Sequence, residues 1–340
     1  MTIKKRYLRT VHFLFVALLL VQLLPDKLTT ETYAGYVVWF AVGVEILTLI
    51  VSAIIKKPLG LTLFADIVSF IYGLLIAWTL ATAKFNLLKP SLFPPPGRVF
   101  WQLIGDYEKI ITNILSSVGI ILQGYLLAAA VAIILGLLLG SSERLGNVAT
   151  YLAKFLGAIP PIVYIPYGIA LLPTFRSVSV FVIFLATFWP VLAGTMSGVM
   201  NVDKKTLDSA RVLNVNRFTM LFSVILPASL PQIFIGCNQG LTVSFVLLTS
   251  AEMIGAQSGL GFYIKNYSDF GDYTRTLVGL IVIGIVIVVI SFGFNKIQKY
   301  LLRWKHGGGR KHDRNIMARQ GRTGSLHRRK TSRRRLFAQG

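Results

Sequence analysis

Glu252 follows a run of 28 residues, 224–251, without one charge, and it stands in the segment AEMIGAQSGLG at residues 251–261. An acid at or near membrane depth is costly and marks a functional position by default. The competing reading is an acid at headgroup level, or one that caps the segment it opens. Gly255, Gly259 and Gly261 would allow a tight re-entrant turn there. A second marked group is Pro160, Pro161 and Pro166, all within the apolar stretch 148–172. Proline removes an i→i−4 hydrogen bond and kinks a helix. The bend is either static and tolerated by packing, or it lets the helix line a pathway. The third group lies in residues 201–227, NVDKKTLDSARVLNVNRFTMLFSVILP.

That third stretch reads as an ordered element. Asp203 can cap a helix start by accepting from a backbone N–H two or three residues on. Residues 206–213 then form a short helix carrying the small residues Ser209 and Ala210. Asn214 falls where the chain must reverse, and Asn accepts left-handed geometry at a helix end. Residues 217–224 give a second short helix leading to Leu226 and Pro227, proline being tolerated at a helix beginning. A short helix with small residues facing outward can press its backbone into a groove on another protein. Equally, it can be an interfacial helix that only caps a bundle.

Other chemistries are excluded by the residues themselves. No GxxxxGK[ST] phosphate loop occurs, so any energy source must come from a partner. There is no paired-carboxylate constellation and no GxSxG elbow. The histidines His12, His306, His312 and His327 form no HExxH or paired cluster. The single cysteine, Cys237, excludes an internal disulfide framework and any CxxC zinc site, and reads as a small apolar residue in a helix.

The elements that hold these residues follow from composition. The 340-residue chain is 54% hydrophobic and 14% charged, against about 25% charged in soluble domains. Eight segments meet or approach the ~20 apolar residues that cross a bilayer: 7–24, 33–55, 59–83, 110–139, 148–172, 178–202, 224–251 and 276–295. They are continuous and rich in Leu, Ile and Val without period-2 alternation, so an all-α polytopic membrane bundle of about eight transmembrane helices is expected. Residues 7–24 are the weakest and read as a retained span or a cleaved signal peptide, retention being favoured because no small-x-small cleavage site precedes Pro25. Residues 86–97 (NLLKPSLFPPPG) form a proline-rich connector.

The net charge is +22, and residues 306–340 hold eleven Lys or Arg against one acid, Asp313. Basic residues at the N-terminus, at Lys56 and Lys57, in 203–223 and in the tail place both termini and the 203–223 loop in the cytoplasm. The outside loop with Lys84, Lys89, Arg98 and Lys109 departs mildly from that rule.

Residues 201–227 resemble the cytoplasmic EAA loop of binding-protein-dependent ABC importer permeases, E-A-A-x3-G-x9-I-x-L-P. Asp208, Ser209, Ala210, Asn214, Val224, Leu226 and Pro227 fall on its positions at matching spacing. Asp stands for Glu, Ser for the first Ala, Asn for Gly and Val for Ile. Residues 93–96 (FPPP) resemble the family's F-x-P-x-P segment, 158–166 (AIPPIVYIP) its proline-broken third span, and 251–261 its A-E-x-I-x-A-x-S-G-x-G segment. The resemblance covers about residues 65–305 and is nearest to the nitrate, sulfonate, taurine and bicarbonate branch.

The resemblance implies a type I ABC importer permease fold at 59–305, preceded by an extra N-terminal transmembrane hairpin at 1–58 and followed by a basic disordered tail at 306–340. It implies a subunit of a bacterial plasma membrane importer that is not itself an enzyme and holds no cofactor, ATP being used by a partner. Two permease copies would form the pathway and two cytoplasmic ABC ATPase subunits would grip the loops. An extracellular or periplasmic binding protein would deliver the solute. By the same resemblance Pro160, Pro161, Pro166, Glu252, Gly259 and Gly261 are pathway or gate residues, and Glu252 lies near the outer gate. The tail reads as a contact for anionic lipid, as a nucleic-acid contact by charge alone, or as an atypical extension. The main alternative is an ATP-independent carrier or channel. It would need intramembrane charges, and the last five spans offer only Lys154 well inside a run.

Overall fold

The computed structural model describes residues 3–28, 31–54 and 58–303, and every regular element among them is helical. The helices are α1 (Ile3–Leu23), α2 (Ala34–Ile54), α3 (Pro58–Thr79), α4 (Pro96–Gly105), α5 (Tyr107–Gly140), α6 (Glu143–Gly157), α7 (Ile165–Leu171), α8 (Phe175–Met200), α9 (Lys204–Val212), α10 (Arg217–Thr219), α11 (Leu226–Gly255), α12 (Leu260–Asp269) and α13 (Tyr273–Leu301). Wide π-helical turns extend α3 through Leu80–Lys84 and join α10 to α11 through Met220–Ile225.

Six helical stretches are long and apolar enough to cross a bilayer: Ala34–Ile54, Leu59–Lys84, Tyr107–Gly140, Phe175–Met200, Arg217–Gly255 and Tyr273–Leu301. They carry exposed aromatic and aliphatic side chains such as Trp39, Phe70, Leu115 and Phe292, which lipid solvates and water does not. The remaining two of the eight expected segments differ from the rest. The apolar part of α1, Thr10–Leu23, is shorter than a full crossing. The expected segment 148–172 is broken: one helix ends at Gly157 and helical turns resume at Pro161, and Glu143–Gly157 and Pro161–Leu171 count as a seventh span only if taken together.

The chain divides into two compact units. The first comprises Met1–Leu127, Pro160–Ala186 and Val243–Ile287. In it α1, α2 and α3 share a core built on Val11, Leu18, Val37, Ala41, Val68 and Tyr72. Glu45 is buried there, pairs with His12 and accepts from the Tyr72 hydroxyl at 3.2 Å. Lys84 is buried at the end of the α3 extension. Its ammonium pairs with Asp26 at 2.6 Å and donates to the carbonyls of Gln22 and Leu24. A second cluster joins α4, α5, α12 and α13 through Val99, Ile110, Leu260, Tyr263, Val278 and Val282.

The second unit comprises Ala128–Ile159, Thr187–Thr242 and Val288–Gly340. Small residues set its packing, because helices in lipid gain by close approach rather than by apolar burial. On α8 and α11 the four-residue pairs Gly194–Gly198 and Gly236–Gly240 face one another. A Cβ on Gly236 would stand 2.5 Å from the Pro190 carbonyl oxygen, and one on Gly194 2.9 Å from that of Gln232. The Gly136–Gly140 pair of α5 packs the same way, on Thr195 and Val199.

Candidate functional site

The loop at 201–227 belongs to the second unit. Asp203 caps α9 as the sequence suggests, its carboxylate accepting from the Lys205 N–H at 3.2 Å. The helix ends in a full Schellman reversal. Asn214 takes φ 52°, its N–H donates to the Arg211 carbonyl at 2.9 Å, and the Val215 N–H donates to Ala210 at 3.4 Å. Asn216 then caps the next helix, its side-chain oxygen accepting from the Thr219 N–H at 2.7 Å. The two helices are thus joined by a reversal that caps the end of the first and the start of the second.

Two expectations for this loop are corrected. Residues 217–224 are not a separate second helix. They run without a break through the π-turn into α11, so that Arg217–Gly255 is one continuous stretch. Pro227 is the second residue of α11, near a helix start as expected, although the π-turn continues the helical path upstream of it. Its missing donor and bulky ring are accommodated by the wide turn just upstream. Second, Ala210 does not face outward. It is only 7% exposed, and α9 is seated inward on Leu137, Val199 and Ile225 through Leu207. Asp208, Ser209 and Asn214 are exposed, and Val224 and Leu226 are half-buried. The side chains that project furthest are ones the sequence reading did not single out: Val212 (85% exposed), Leu213 (77%) and Phe218 (77%). Their signal was available, as apolar residues in an otherwise polar loop.

Glu252 belongs to the first unit, where it organises a turn. It is 2% exposed. One carboxylate oxygen accepts from the Ser117 hydroxyl at 2.7 Å and the other from the Gly261 N–H at 2.8 Å. The Ser117 oxygen accepts from the Leu260 N–H, and Asn113 accepts from the Gly259 N–H, each at 2.8 Å. Three successive backbone donors at the start of α12 are therefore held by Asn113 and Ser117 of α5 and Glu252 of α11. Such donors have no partner within their own helix. Gly259 adopts φ 120°, and a Cβ there would strike the Glu252 carboxyl at 2.3 Å. Of the two sequence readings of Glu252, this geometry matches the capping one. Asn113 and Ser117 were missed, although their i, i+4 spacing puts both on one helical face.

Pro160 and Pro161 occupy the break itself, and Pro166 sits in the first turn of α7, where its missing N–H costs nothing. The expected kink within one helix is instead an interruption. Ile165 is buried against Val178, Val182, Ala186, Leu247 and Ala251, which fixes the start of α7 in the first unit.

Near the Glu252 turn, Asp106 is buried between α4 and α5. It accepts from Arg275 Nε at 2.6 Å and from the Tyr263 hydroxyl at 3.0 Å. Burial pushes its carboxyl up, but hydrogen bonds from Arg275, Gln102 and Tyr263 outweigh it and hold the group below the ordinary aspartate range. Among the described residues no cluster of three or more His, Cys, Asp or Glu could hold a metal ion.

The model of the binding-protein-dependent transport system inner membrane component family matches residues 128–306, more than half of the chain. The chain belongs to this family. Pro160, Pro161, Pro166, the 201–227 loop and residues 251–261 lie inside the match, whereas residues 1–127 and 307–340 lie outside it. A probable ABC transporter permease protein of Brucella abortus is 32% identical over 240 residues, covering 71% of this chain and 95% of its own length. The taurine transport system permease protein TauC of Escherichia coli is 28% identical over 74% of this chain and 93% of its own length. The nitrate import permease protein NrtB of Leptolyngbya laminosa is 29% identical over 57% of this chain and 65% of its own length. The chain is thus a multi-pass membrane permease of the ABC importer class.

Proposed function

We propose that this permease forms the translocation pathway of an ATP-driven importer for a small anion such as nitrate, a sulfonate, taurine or bicarbonate. Two copies line the pathway. A cytoplasmic ATPase subunit grips each 201–227 loop, and a solute-binding protein delivers the anion from outside. Both termini lie in the cytoplasm of a bacterial plasma membrane, with lipid around the bundle. Residues 59–305 are the permease domain, residues 1–58 an accessory hairpin and residues 306–340 a basic tail. Pro160, Pro161 and Pro166 supply a bend along the pathway, and Glu252, Gly259 and Gly261 set the turn near its outer end.

The observation that carries the reading is the loop's construction. Asp203, Asn214 and Asn216 cap and reverse the chain, Ala210 seats it inward, and Val212, Leu213 and Phe218 stand uncovered. Covering an apolar side chain of this size is worth roughly 1.5–3 kcal/mol, so the tip is built to be held by another protein. Asp208, Ser209, Ala210, Asn214, Val224, Leu226 and Pro227 act as the frame of this lever, which transmits ATPase closure to α9 and α11. The test is the double variant Leu213→Glu, Phe218→Asp. It is expected to insert normally and to lose both ATPase co-purification and uptake by more than about tenfold. Uptake at the wild-type rate contradicts the assignment.

A further inference from the structure

The first unit contains a cavity of about 420 Å³ that none of the residues discussed so far explains. Its size falls within the ~300–1,000 Å³ of small-molecule sites. Four hydroxyls line it, from Ser116, Thr174, Ser179 and Ser258, together with the Gln257 amide and one charged group, Arg176. No acid lines it.

Arg176 differs from its basic neighbours in the same unit. Lys84, Lys109, Lys265 and Arg275 each have an acidic partner. Among the described residues no acid lies within ion-pair distance of Arg176, and its guanidinium makes no hydrogen bond. Arg176 is an exposed residue of the cavity wall. It lies along α5 beside Gly119, where a Cβ would come within 3.8 Å of an Nη nitrogen. With no acid beside it, the guanidinium is open to an anion that enters the cavity. Arg176 and Thr174 also line a second cavity, of about 540 Å³, whose other walls include Leu127, Leu172, Phe181 and Phe184. A polar, cationic chamber and an apolar one therefore share Arg176.

We propose that Arg176 is a solute-contact residue of the pathway, whose guanidinium receives the oxyanion or sulfonate group of the transported molecule, with Thr174, Ser116 and Ser258 donating beside it. This rests on the importer reading and deepens it by naming the side chain that meets the solute's charge. The planar fork suits a two-oxygen group, which an ammonium meets only as a point charge.

The test uses proteoliposomes holding the full permease with its ATPase and binding protein, and measures uptake of nitrate, bicarbonate, taurine and methanesulfonate. Arg176→Gln is expected to lower uptake of whichever anion the wild type carries by roughly tenfold or more. Arg176→Lys is expected to fall in between, and both variants should insert and co-purify with the ATPase. Wild-type uptake rates in Arg176→Gln overturn the contact assignment and leave the importer reading standing. A wild type that needs the ATPase and binding protein yet carries none of the four overturns the anion class. Anion uptake that needs no ATPase contradicts the importer reading instead, while the Arg176→Gln comparison in the same vesicles still decides the contact.

Discussion

Asn214 and Glu252 each solve a backbone problem, and substitutions separate that role from others. Asn214 sits at φ 52°, a geometry glycine adopts freely and β-branched residues resist. Asn214→Gly is expected to leave uptake and ATPase association near wild type. Asn214→Val should cost about 1–2 kcal/mol locally and loosen the tip, read as reduced ATPase co-purification at normal membrane abundance. Equal behaviour of the two variants would remove the reversal from the account. For Glu252 the carboxylate accepts two hydrogen bonds from buried donors. Glu252→Ala leaves both donors unpaired, at roughly 1–3 kcal/mol each, and is expected to lower thermal stability in detergent clearly. Glu252→Gln keeps one acceptor oxygen and should lie between alanine and wild type. The sequence marked both residues for good physical reasons, an asparagine at a helix end and an acid after a long apolar run. It left open which role Glu252 plays, because its partner Ser117 lies 135 residues away along the chain.

Among the elements, the long apolar helices were legible because twenty residues without charge have few alternatives in a bilayer. The interruptions were not. Three prolines announced a bend in 148–172 but not an interruption between Gly157 and Pro161, since proline kinks some helices and ends others. Pro227 reads naturally as a helix start, and only the π-turn ahead of it allows α10 to flow into α11. The short helices α4 and α12 were hidden because their apolar residues are too few to stand out. They are held instead by Val99, Leu260 and Tyr263 in a shared cluster. The crossing of α8 and α11 gives a direct check. Gly236→Leu places side-chain atoms where the Pro190 carbonyl stands, and is expected to abolish uptake and lower Tm. Gly284→Leu, whose Cβ meets nothing within 4 Å, should do neither. The Asp106–Arg275 pair adds a pH dependence. Its folded carboxyl sits below the ordinary value of ~3.9, so the pair stabilises at neutral pH and that contribution is lost only as pH falls through the lowered value. Asp106→Asn should lower Tm at pH 7 and narrow its difference from wild type on acidification.

At the scale of the whole molecule the two units carry different features, the 201–227 loop in the second and the Glu252 turn in the first. Residues 1–58, proposed above as an accessory hairpin, offer a test of how separable they are. Removing residues 1–58 uncovers the α3 face at Ala65, Val68 and Tyr72 and deprives Lys84 of Asp26. The truncated chain is expected to be less abundant and less stable in the membrane while still associating with the ATPase. The class was legible through the family resemblance that the motifs carry, whereas Val212, Leu213 and Phe218, visible as apolar residues in a polar loop, could not be assigned outward, because exposure depends on how α9 seats against helices distant in sequence. That tip carries the central claim. The most direct measurement is site-specific cross-linking from Leu213→Cys in a Cys237→Ala background, in membranes containing the assembled importer. The expected result is a cross-link to the ATPase subunit, whose yield changes when ATP binds, together with protection from membrane-impermeant thiol reagents added outside. A Leu213→Cys thiol that reacts from outside, or that joins no nucleotide-hydrolysing subunit, contradicts the account.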